Sequence, residues 1–350
     1  MTETTAGIGN VTPNAALVEM AMAYSRSRVL CAAARLGVAD ALGDAERDID
    51  ALAEACHADP DALYRLLRTM ASIGLVEETA PRQFRLTPMG RPLRKDVPGS
   101  AWPSVVFWAD LLADSWSLLT DCIRTGEPAQ AVRDPKTPSR WSQDPDAGAI
   151  FRAVMGTAPA EDYAPIARAW DFSRARVVAD LGGGGGSLIL AVLERYPHAQ
   201  GLLVDLEPSI EAAKPRFAHE KNASRCTLVV SDLLQAVPPG ADVYMLKHVL
   251  HGRRDPEALT ILRNVRAVIP DDGALLIVEF VLPSIVSHPD WHLEGHLMSD
   301  LNMLAVTGGR ERSEQEWKVL LEHSGFRLAA VHPVGTDVGI VEARTAGIRD

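Results

Sequence analysis

The sequence has few cysteines, and their spacing does not indicate a metal site or a disulfide scaffold. The four are Cys31, Cys56, Cys122 and Cys226. They lie too far apart for a CxxC motif or a zinc ribbon, and they are too few to hold together a small disulfide-bonded fold. We expect them to be reduced residues of the core.

Long apolar runs and targeting signals are also missing. No stretch approaches the roughly 18 apolar residues that a bilayer-spanning helix needs. The first ten residues, MTETTAGIGN, have neither the basic start nor the apolar centre of a signal peptide. These absences predict a soluble cytoplasmic protein with no membrane partner.

Basic residues are outnumbered, with 35 Lys and Arg against 46 Asp and Glu and a net charge of -11. An acidic chain repels phosphate backbones, so nucleic acid is not expected as the main partner. At 350 residues, of which 47% are hydrophobic and 23% charged, the chain has ordinary globular composition and exceeds what one core usually organises. We therefore expect two domains.

The first 100 residues are typical of a helical, winged-helix-like domain. Apolar residues recur at helical spacing over about 13–45. Two further helices are predicted around a turn in which Asp59 is the N-cap and Pro60 the first helical residue. Gly74-Leu75-Val76 and the later QFRLTP indicate a β-hairpin, or wing. Because the helices of 13–45 have more apolar surface than one small domain can cover, we expect a homodimer formed through them.

The rest of the chain consists of two further segments with different sequence patterns. Residues 101–160 are predicted to be an irregular, proline-interrupted helical linker. From about residue 174, short β-branched runs alternate with helices, which predicts an α/β domain over 161–350. Its sheet is expected to be Rossmann-like, doubly wound and mostly parallel, with an antiparallel edge made by two C-terminal strands around a Gly-Thr-Asp turn.

A glycine-rich turn follows the first strand of this domain. Gly182, Gly184 and Gly186 lie between the strand and an apolar helix, where the backbone must turn tightly and a ligand must come close. Alone, this motif is weak evidence for a nucleotide site. Asp180 precedes the first glycine by two positions, which suits a cofactor with an ammonium and a sulfonium group and would repel a pyrophosphate.

Two more aspartates follow the next two strands. Asp205 ends the second strand, where a carboxylate can accept hydrogen bonds from both ribose hydroxyls. Asp232 follows the third strand, near the expected position of an adenine amino group. Each could instead cap a helix, but together with Asp180 they predict one nucleoside-shaped site.

The motifs from VVADLGGGGGS through LLVDLEP, VVSDLL, YMLKHVLH and LLIVEFVLP to NMLAVTGGRERSEQEW resemble a known family. It comprises the class I S-adenosylmethionine-dependent O-methyltransferases of plant phenylpropanoid metabolism and bacterial antibiotic tailoring. The resemblance implies a dimerising N-terminal domain, a linker that contributes to the acceptor pocket, S-adenosylmethionine as cofactor and S-adenosylhomocysteine as product, and no metal. It places these residues on the cofactor: Asp180, Gly182, Gly184, Gly186, Asp205, Leu206, Asp232, Leu233 and Lys247.

The same resemblance assigns the catalytic groups. His251 falls on the general base of the family, and Glu279 and Glu311 fall on the two carboxylates that flank it. Glu279 is expected to end the fifth strand, and Glu311 is expected to open a helix beyond it. The chemistry agrees, because a phenol with a pKa near 10 is mostly protonated at neutral pH and a nearby imidazole can take its proton during transfer. A carboxylate on the other ring nitrogen fixes the tautomer. Without that role, His251 would be an ordinary histidine at a helix end.

The acceptor is expected to be a small aromatic or polyketide-type secondary metabolite. The residues that match the acceptor-lining segments of the family are Phe151, Met155, Met298, Asn302 and Met303. Ordinary core packing is the alternative for Phe151. His288, His292 and His296 are spaced four apart, which on a helix can hold a metal, but Pro289 and Gly295 interrupt the pattern. We interpret these histidines as a polar wall of the acceptor pocket or an exposed face.

Two departures from the family pattern keep other functions open. The base is followed by Gly252-Arg253 where the family usually has Asp-Trp, and Gly185 replaces a polar residue, which should make the loop more flexible. One alternative is therefore an enzyme of the same fold with non-methylating chemistry, namely a hydroxylase, decarboxylase or pericyclase. A remote alternative is a winged-helix regulator, which the acidic charge disfavours.

Overall fold

The computed structural model describes residues 12–134, 144–156, 160–335 and 338–346. The chain divides into two compact units, residues 1–114 and 115–350. Residues 135–143 and 157–159 of the predicted linker and the Thr336-Asp337 part of the predicted C-terminal turn lie outside the described residues. In the described part, no helix is both long and apolar enough to span a lipid bilayer.

The first unit is mainly helical and carries the predicted wing. The helical stretch near the N-terminus breaks at Gly37, whose φ of 67° ends the first helix in a left-handed cap. The wing consists of two antiparallel strands, and a two-residue strand pairs antiparallel with the second of them. The elements are α1 Pro13–Leu36, α2 Val38–Leu42, β1 Arg47–Asp48, α3 Ile49–Cys56, α4 Pro60–Ser72, β2 Val76–Ala80, β3 Gln83–Leu86 and α5 Trp102–Val106, with a 3₁₀ turn at Arg91–Leu93 and a π-helical turn at Phe107–Leu111.

The predicted start of α4 is confirmed. The Asp59 side chain accepts hydrogen bonds from the backbone N–H groups of Asp61 and Ala62 at 3.1 and 2.9 Å, and Pro60 is the first helical residue. One face of α4 is buried in a core whose members include Leu52, Leu63, Leu67, Met70 and Phe84. On α1, in contrast, several apolar residues are exposed. They are Leu17, Val18, Met20, Met22 and Tyr24.

The second unit is built on a seven-stranded sheet with the order β11-β12-β8-β7-β4-β5-β6. Strands β6, β5, β4, β7 and β8 run parallel, and β12 and β11 add an antiparallel edge. The predicted doubly wound sheet with its antiparallel edge is therefore confirmed. Its strands are β4 Val177–Leu181, β5 Gln200–Asp205, β6 Cys226–Val230, β7 Val243–Lys247, β8 Ala274–Glu279, β11 Phe326–Val334 and β12 Val338–Thr345.

Helices cover both faces of this sheet. In β7, Val243 and Met245 pack into one core and Tyr244 and Leu246 into the other, as the alternation of side chains along a strand requires. The helices of the unit are α7 Leu119–Thr125, α8 Ala129–Arg133, α9 Pro145–Gly156, α10 Ala164–Ala169, α11 Ser187–Arg195, α12 Glu207–Phe217, α13 Asp255–Val268, α14 Trp291–Val306 and α15 Glu314–Glu322. The helix α6, Ala113–Ser117, spans the boundary between the units, and 3₁₀ turns lie at Ala160–Tyr163 and Ala223–Arg225.

A small parallel pair supports the site from one side. It joins β9, Val281–Leu282, to β10, Arg312–Ser313. The parallel strands of the main sheet all end at one edge, so the residues that follow β4, β5, β7 and β8 are brought together there. This edge carries most of the predicted site residues.

Candidate active site

The glycine loop makes a tight turn between β4 and α11. Gly182, Gly184 and Gly186 have φ values of 68°, 55° and 75°, in the left-handed region that glycine adopts without strain. The N–H of Gly182 donates to the carbonyl of Val204 at 2.7 Å. A Cβ on Gly184 would meet no atom within 4 Å, so the loop leaves open space at its middle glycine.

Gly182 also lies against the turn that carries the predicted base. A Cβ at position 182 would come within 2.8 Å of Val249. Only glycine lets this turn approach so closely, because a contact of that length is closer than a real Cβ tolerates. The glycine loop and the turn of the predicted base therefore lie side by side.

A side chain from α12 anchors the loop at the position where the sequence departs from the family. One guanidinium nitrogen of Arg216 donates to the carbonyl of Gly185 at 3.4 Å and to the hydroxyl of Ser187 at 2.6 Å. The sequence predicted a more flexible loop because residue 185 has no side chain. Arg216 supplies a tether from outside the loop, which no local motif predicted.

Asp180 is enclosed beneath the loop, with 1% of its surface exposed. One carboxylate oxygen accepts from the N–H of Ile189 at 3.3 Å, and the other has no hydrogen-bond partner in the structure. Burial raises the pKa of Asp180 to about 7, since a buried carboxylate loses its hydration. Thus Asp180 is a buried, titratable group under the cofactor loop.

Asp205 and Asp232 follow adjacent parallel strands, as predicted. The two oxygens of Asp205 accept from the N–H groups of Gly184 and Leu206 at 2.8 and 2.7 Å. Asp232 accepts from the N–H of Leu234 at 3.0 Å. Leu206 is half exposed, whereas Leu233 is buried. Each aspartate retains further lone pairs that can accept hydrogen bonds from a ligand.

Lys247 ends β7 next to these groups. Its ammonium lies 5.0 Å from the centre of the Tyr163 ring, a cation–π distance. Burial lowers the pKa of Lys247, and the charges of Asp180 and Glu279 partly offset this effect. Tyr163 was not predicted as a site residue.

The turn after β7 is held by Glu279, the last residue of β8. One of its oxygens accepts from the backbone N–H groups of Val249, Leu250 and His251, at 3.1, 3.0 and 3.3 Å. His248 begins this turn with a φ of 51°, which is unusual for a residue with a side chain. Glu279, which is fully buried, therefore builds the turn in addition to flanking the base.

Glu311 is the direct partner of the predicted base. Nδ1 of His251 lies 2.7 Å from Oε1 of Glu311, and the hydroxyl of Ser299 donates to the same oxygen at 2.8 Å. Oε2 of Glu279 lies 3.5 Å from Nδ1 of His251 on another side. This geometry leaves Nε2 of His251 as the ring nitrogen that can take a proton from a ligand.

The pKa values of the two histidines of this turn, His248 and His251, shift in opposite directions. Burial disfavours the charged form of His251, but the carboxylates of Glu279 and Glu311 outweigh it and raise the pKa of its ring. Burial also acts on His248, and there it lowers the pKa despite a partial offset from Glu279. The pKa of Glu279 lies below its usual value because the histidine charges and hydrogen bonds outweigh its burial.

The chain is similar to known proteins over most of its length. A family model described as an O-methyltransferase domain matches residues 116–327, and an O-methyltransferase dimerisation domain matches residues 18–96. The O-demethylpuromycin-O-methyltransferase of Streptomyces alboniger is 37% identical over 93% of this chain and 88% of its own length. The chain belongs to the O-methyltransferase family.

Two solved structures support this membership. The mitomycin 7-O-methyltransferase MmcR is 33% identical and has a TM-score of 0.85, over 95% of this chain and 98% of that one. An O-methyltransferase of neocarzinostatin biosynthesis, bound to S-adenosyl-L-homocysteine and 1,4-dihydroxy-2-naphthoic acid, is 30% identical with a TM-score of 0.79, over 96% and 99% of the two chains. The predicted family of S-adenosylmethionine-dependent O-methyltransferases is thus confirmed, and methylation is favoured over the non-methylating alternative.

One detail of the predicted site was wrong. Glu311 was expected to open a helix, but it precedes the short strand β10, and the methyltransferase begins α15 at Glu314 with Ser313 as N-cap. The N–H of Glu311 donates to Asp300 at 2.8 Å, which fixes the segment against α14. The helix start was placed too early because β10, a strand of two residues, is too short to give a sequence pattern before the capping box of Ser313 and Glu316.

The segment after His251, where the family usually has Asp-Trp, forms a turn that is held by several hydrogen bonds. Arg312 is buried and donates to the carbonyl of Leu250 at 3.3 Å and to Asp255 at 2.6 Å. The carbonyl of His251 accepts from the N–H of Arg310 at 2.8 Å, and Gly309 packs directly against it. These contacts hold the turn of the predicted base in place although the usual Asp-Trp pair is absent.

The predicted acceptor residues differ in their surroundings. Asn302 is buried, and its side-chain oxygen accepts from the indole N–H of Trp116 at 3.0 Å. Phe151, Met155 and Met298 are exposed by 44%, 50% and 48%, which excludes core packing as the role of Phe151. Met303 is half-buried on α14. Trp116, which orients Asn302, was not predicted.

The three histidines spaced four apart do not converge. His296 stacks on Phe280 with ring centres 4.2 Å apart, the His292 ring lies against Trp291, and Nδ1 of His288 bonds with the Ser287 hydroxyl at 2.9 Å. They lie on and just before α14, each with a different neighbour. The histidine that sequence reasoning missed is His248, whose only signal was its place three residues before the base.

Proposed function

We propose that this chain transfers a methyl group from S-adenosylmethionine to a hydroxyl group of a small aromatic acceptor, with His251 as the general base. The observation that carries the proposal is the buried pairing of Nδ1 of His251 with Glu311 at 2.7 Å, next to the cofactor loop. S-Adenosylhomocysteine is the product. The relatives act on aromatic compounds of antibiotic pathways, and we infer an acceptor of the same class.

The residues at the sheet edge fit S-adenosylmethionine. The open space over Gly184 can take the ligand, and Asp205 is placed to accept hydrogen bonds from the ribose hydroxyls. The unpartnered oxygen of Asp180 lies under the loop, and a ligand with an ammonium group would favour the ionised form of this carboxyl. Asp232, Leu206 and Leu233 would flank the adenine, and Lys247 would lie alongside. When bound, the cofactor supplies an electrophilic methyl group on a positively charged sulfur.

The protein's own residues then prepare the acceptor. Glu311 holds the proton on Nδ1 of His251, so Nε2 carries the free lone pair and can accept the hydroxyl proton. Glu279 and Glu311 stabilise the imidazolium that results, as their effect on the pKa of His251 indicates. The acceptor oxygen loses its proton as it bonds to the methyl carbon. Alignment of that oxygen with the methyl group provides the rest of the rate enhancement.

The acceptor itself is held by α9 and α14. We infer that Phe151, Met155, Met298 and Met303 supply apolar contact and that the amide of Asn302 supplies a polar one. Trp116 supports this assignment because it occupies the oxygen of Asn302 and leaves the amide N–H₂ for the acceptor. The segment 101–160 therefore contributes to the acceptor pocket in this proposal, between a dimerisation domain of residues 1–100 and a cofactor domain of 161–350.

The enzyme acts as a homodimer through its N-terminal helices. The exposed apolar residues of α1 and the matched dimerisation domain support this assembly. Multi-angle light scattering at micromolar concentration should give twice the chain mass. A variant with Met20→Glu and Met22→Glu should shift towards the monomer, whereas Glu19→Gln on the same helix should not.

The test of the reaction is transfer of a labelled methyl group. Purified enzyme is incubated with methyl-labelled S-adenosylmethionine and a panel of phenolic naphthoates, phenazines and nucleoside-linked phenols, and the products are separated by mass. A product heavier by one methyl group supports the proposal, and the O-methyl ether of that acceptor should be inert. Oxidised or decarboxylated product with the cofactor unconsumed would contradict it in favour of non-methylating chemistry.

A further inference from the structure

Two histidines and a carboxylate converge beneath the catalytic turn. Nδ1 of His248 and Nδ1 of His251 lie 3.6 and 3.5 Å from Oε2 of Glu279. In the described part of the chain, these three residues form the one group whose metal-ligating atoms all lie within 4.8 Å of one another. The two measured separations are close to the roughly 3.4 Å between ligands of a tetrahedral ion with bonds of about 2.1 Å.

Two polar atoms of this cluster face each other at a separation longer than a normal hydrogen bond, since Nδ1 of His248 and Oε2 of Glu279 are 3.6 Å apart. Among the described side chains, Nδ1 of His248, Oε2 of Glu279 and Oε2 of Glu311 are buried without a hydrogen-bond partner. A buried polar atom without a partner is unfavourable, because it has lost its hydration and gained no hydrogen bond. Two of the three belong to the metal-ligand group itself, and the third belongs to the carboxylate bonded to His251.

The charges point to a divalent cation. Glu279 and Glu311 are 0% and 1% exposed, so two carboxylates lie in a region that excludes water. A protonated His251 balances one of them. A doubly charged ion in place of that proton balances both, and buried charges are retained in proteins when they are paired or bound to a metal. Imidazole nitrogen and carboxylate oxygen are ligands that Zn²⁺ accepts.

We propose that His248, His251 and Glu279 form a binding site for Zn²⁺ and that Zn²⁺ bound there inhibits methyl transfer. The inhibition, but not the binding, rests on the function proposed for His251. Zn²⁺ would occupy Nδ1 of His251, the atom that donates to Glu311, so the base would lose the bond that fixes its ring and its tautomer. The site is thus one for an inhibitory ion and not for a cofactor of the reaction.

Binding is measured first, without acceptor. Metal-free enzyme is titrated with Co²⁺, whose visible absorption reports a tetrahedral site, and Co²⁺ is then displaced with Zn²⁺. We expect one ion per chain. His248→Asn should weaken binding by on the order of 100-fold, because it removes a ligand while asparagine tolerates the left-handed backbone at this position. His251→Ala removes a second ligand and should give the same loss.

The matched control is His288→Ala, which removes an exposed histidine outside the cluster and should leave Co²⁺ binding unchanged. Circular dichroism and S-adenosylhomocysteine binding check that each variant is folded. Wild-type enzyme without a Co²⁺ spectrum, or a spectrum retained in folded His248→Asn and His251→Ala, would overturn the metal site. Because these readings need no turnover, they decide the site whether or not the proposed reaction is correct.

Inhibition is measured separately. Zn²⁺ should lower methyl transfer by the wild type in proportion to occupancy, a chelator should restore the rate, and His248→Asn should need about 100-fold more Zn²⁺ for the same fractional loss. Full activity at saturating Zn²⁺ would overturn the inhibitory role.

Discussion

The two halves of the site are built in different ways. The cofactor half is largely backbone, with a glycine loop whose middle N–H bonds to Asp205, only 21 residues away in sequence. The base half consists of buried side chains, where His251 meets Glu311 across 60 residues and Glu279 across 28. The first half depends on a local turn between a strand and a helix. The second depends on three distant segments that the sheet edge brings together.

This difference predicts which property of the enzyme a substitution in each half will change. A change in the cofactor half should alter ligand affinity or the stability of the loop, because its groups hold the ligand in its ground state. A change in the base half should alter turnover with little effect on cofactor affinity, because a proton moves only in the transition state. The comparison can be tested one residue at a time.

The largest effect is expected for the base. His251→Ala should lower single-turnover methyl transfer by roughly 10²–10⁴, the usual contribution of a positioned general base. S-Adenosylhomocysteine affinity by calorimetry should stay within about twofold. The control is His219→Ala, at an exposed histidine outside the predicted site, which should retain the wild-type rate. A wild-type rate in His251→Ala would leave proximity alone as the source of catalysis.

The next largest effect is expected in the cofactor half, where a change at Asp180 should alter the stability of the folded protein. The pKa of Asp180 in the folded enzyme is about 7, against 3.8 for the free side chain. A raised pKa in the folded state stabilises the protein at acid pH, and this contribution is lost as the pH rises through about 7. Asp180→Asn has no such loss, so its stability relative to the wild type should increase as the pH rises from 3.8 to about 7 and should level off above that.

The expected gain is at most on the order of 4 kcal/mol. It is measured as the difference in unfolding midpoint between Asp180→Asn and wild type, without cofactor, at a series of pH values. Asp171→Asn, at an exposed aspartate, serves as the control and should show no such rise. A difference that stays constant with pH would show that the buried carboxyl does not titrate in this range.

A smaller effect is expected at the ribose position. Asp205→Ala removes the hydrogen bonds to Gly184 and Leu206 together with the proposed bonds to the ribose. Since a bond to a charged group contributes about 1.5–3 kcal/mol, cofactor affinity should fall about 10- to 100-fold. Glu207→Ala, at the next exposed acid, should bind normally. If Asp205→Ala lowered turnover at saturating cofactor and left affinity unchanged, the two halves would not be separable in this way.

The sequence predicted the cofactor half better than the base half for the same physical reason. Glycine spacing, a strand before it and an apolar helix after it are local features, and the turn followed from them. Asp59 with Pro60 likewise determined a helix start within three residues. In contrast, the contact of Gly182 with Val249 and the tether from Arg216 involve residues far apart in the chain, and no spacing predicts them.

The residues of the base half were predicted through the resemblance to the family, but their detailed contacts were not predicted. His248 shares Glu279 with the base only because the turn takes a left-handed residue there, which the sequence does not specify. The hydrogen bond between Trp116 and Asn302 joins residues that are 186 positions apart in the sequence. The helix start after Glu311 was misplaced by a few residues because a strand of two residues, β10, is too short to give a pattern.

The smallest effect should distinguish the two carboxylates of the base half. Glu311→Gln keeps an oxygen that can accept from Nδ1 of His251 but removes the charge that stabilises the imidazolium. We expect turnover to fall about tenfold, near the cost of one weakened charge-assisted hydrogen bond. Thermal stability should change little, because Glu311 bonds to side chains and does not support the backbone of the turn.

Glu279→Gln should behave differently. One oxygen of Glu279 accepts three backbone N–H groups of the turn, and the other faces the Nδ1 atoms of both histidines. A glutamine can preserve the first set, but its N–H₂ group then confronts the two ring nitrogens, one of which must donate. The variant should therefore lose stability as well as rate, whereas Glu311→Gln loses rate alone. Melting temperature and single-turnover rate, measured on both variants, give this contrast, and equal melting temperatures would show that the N–H₂ group is accommodated next to the two ring nitrogens.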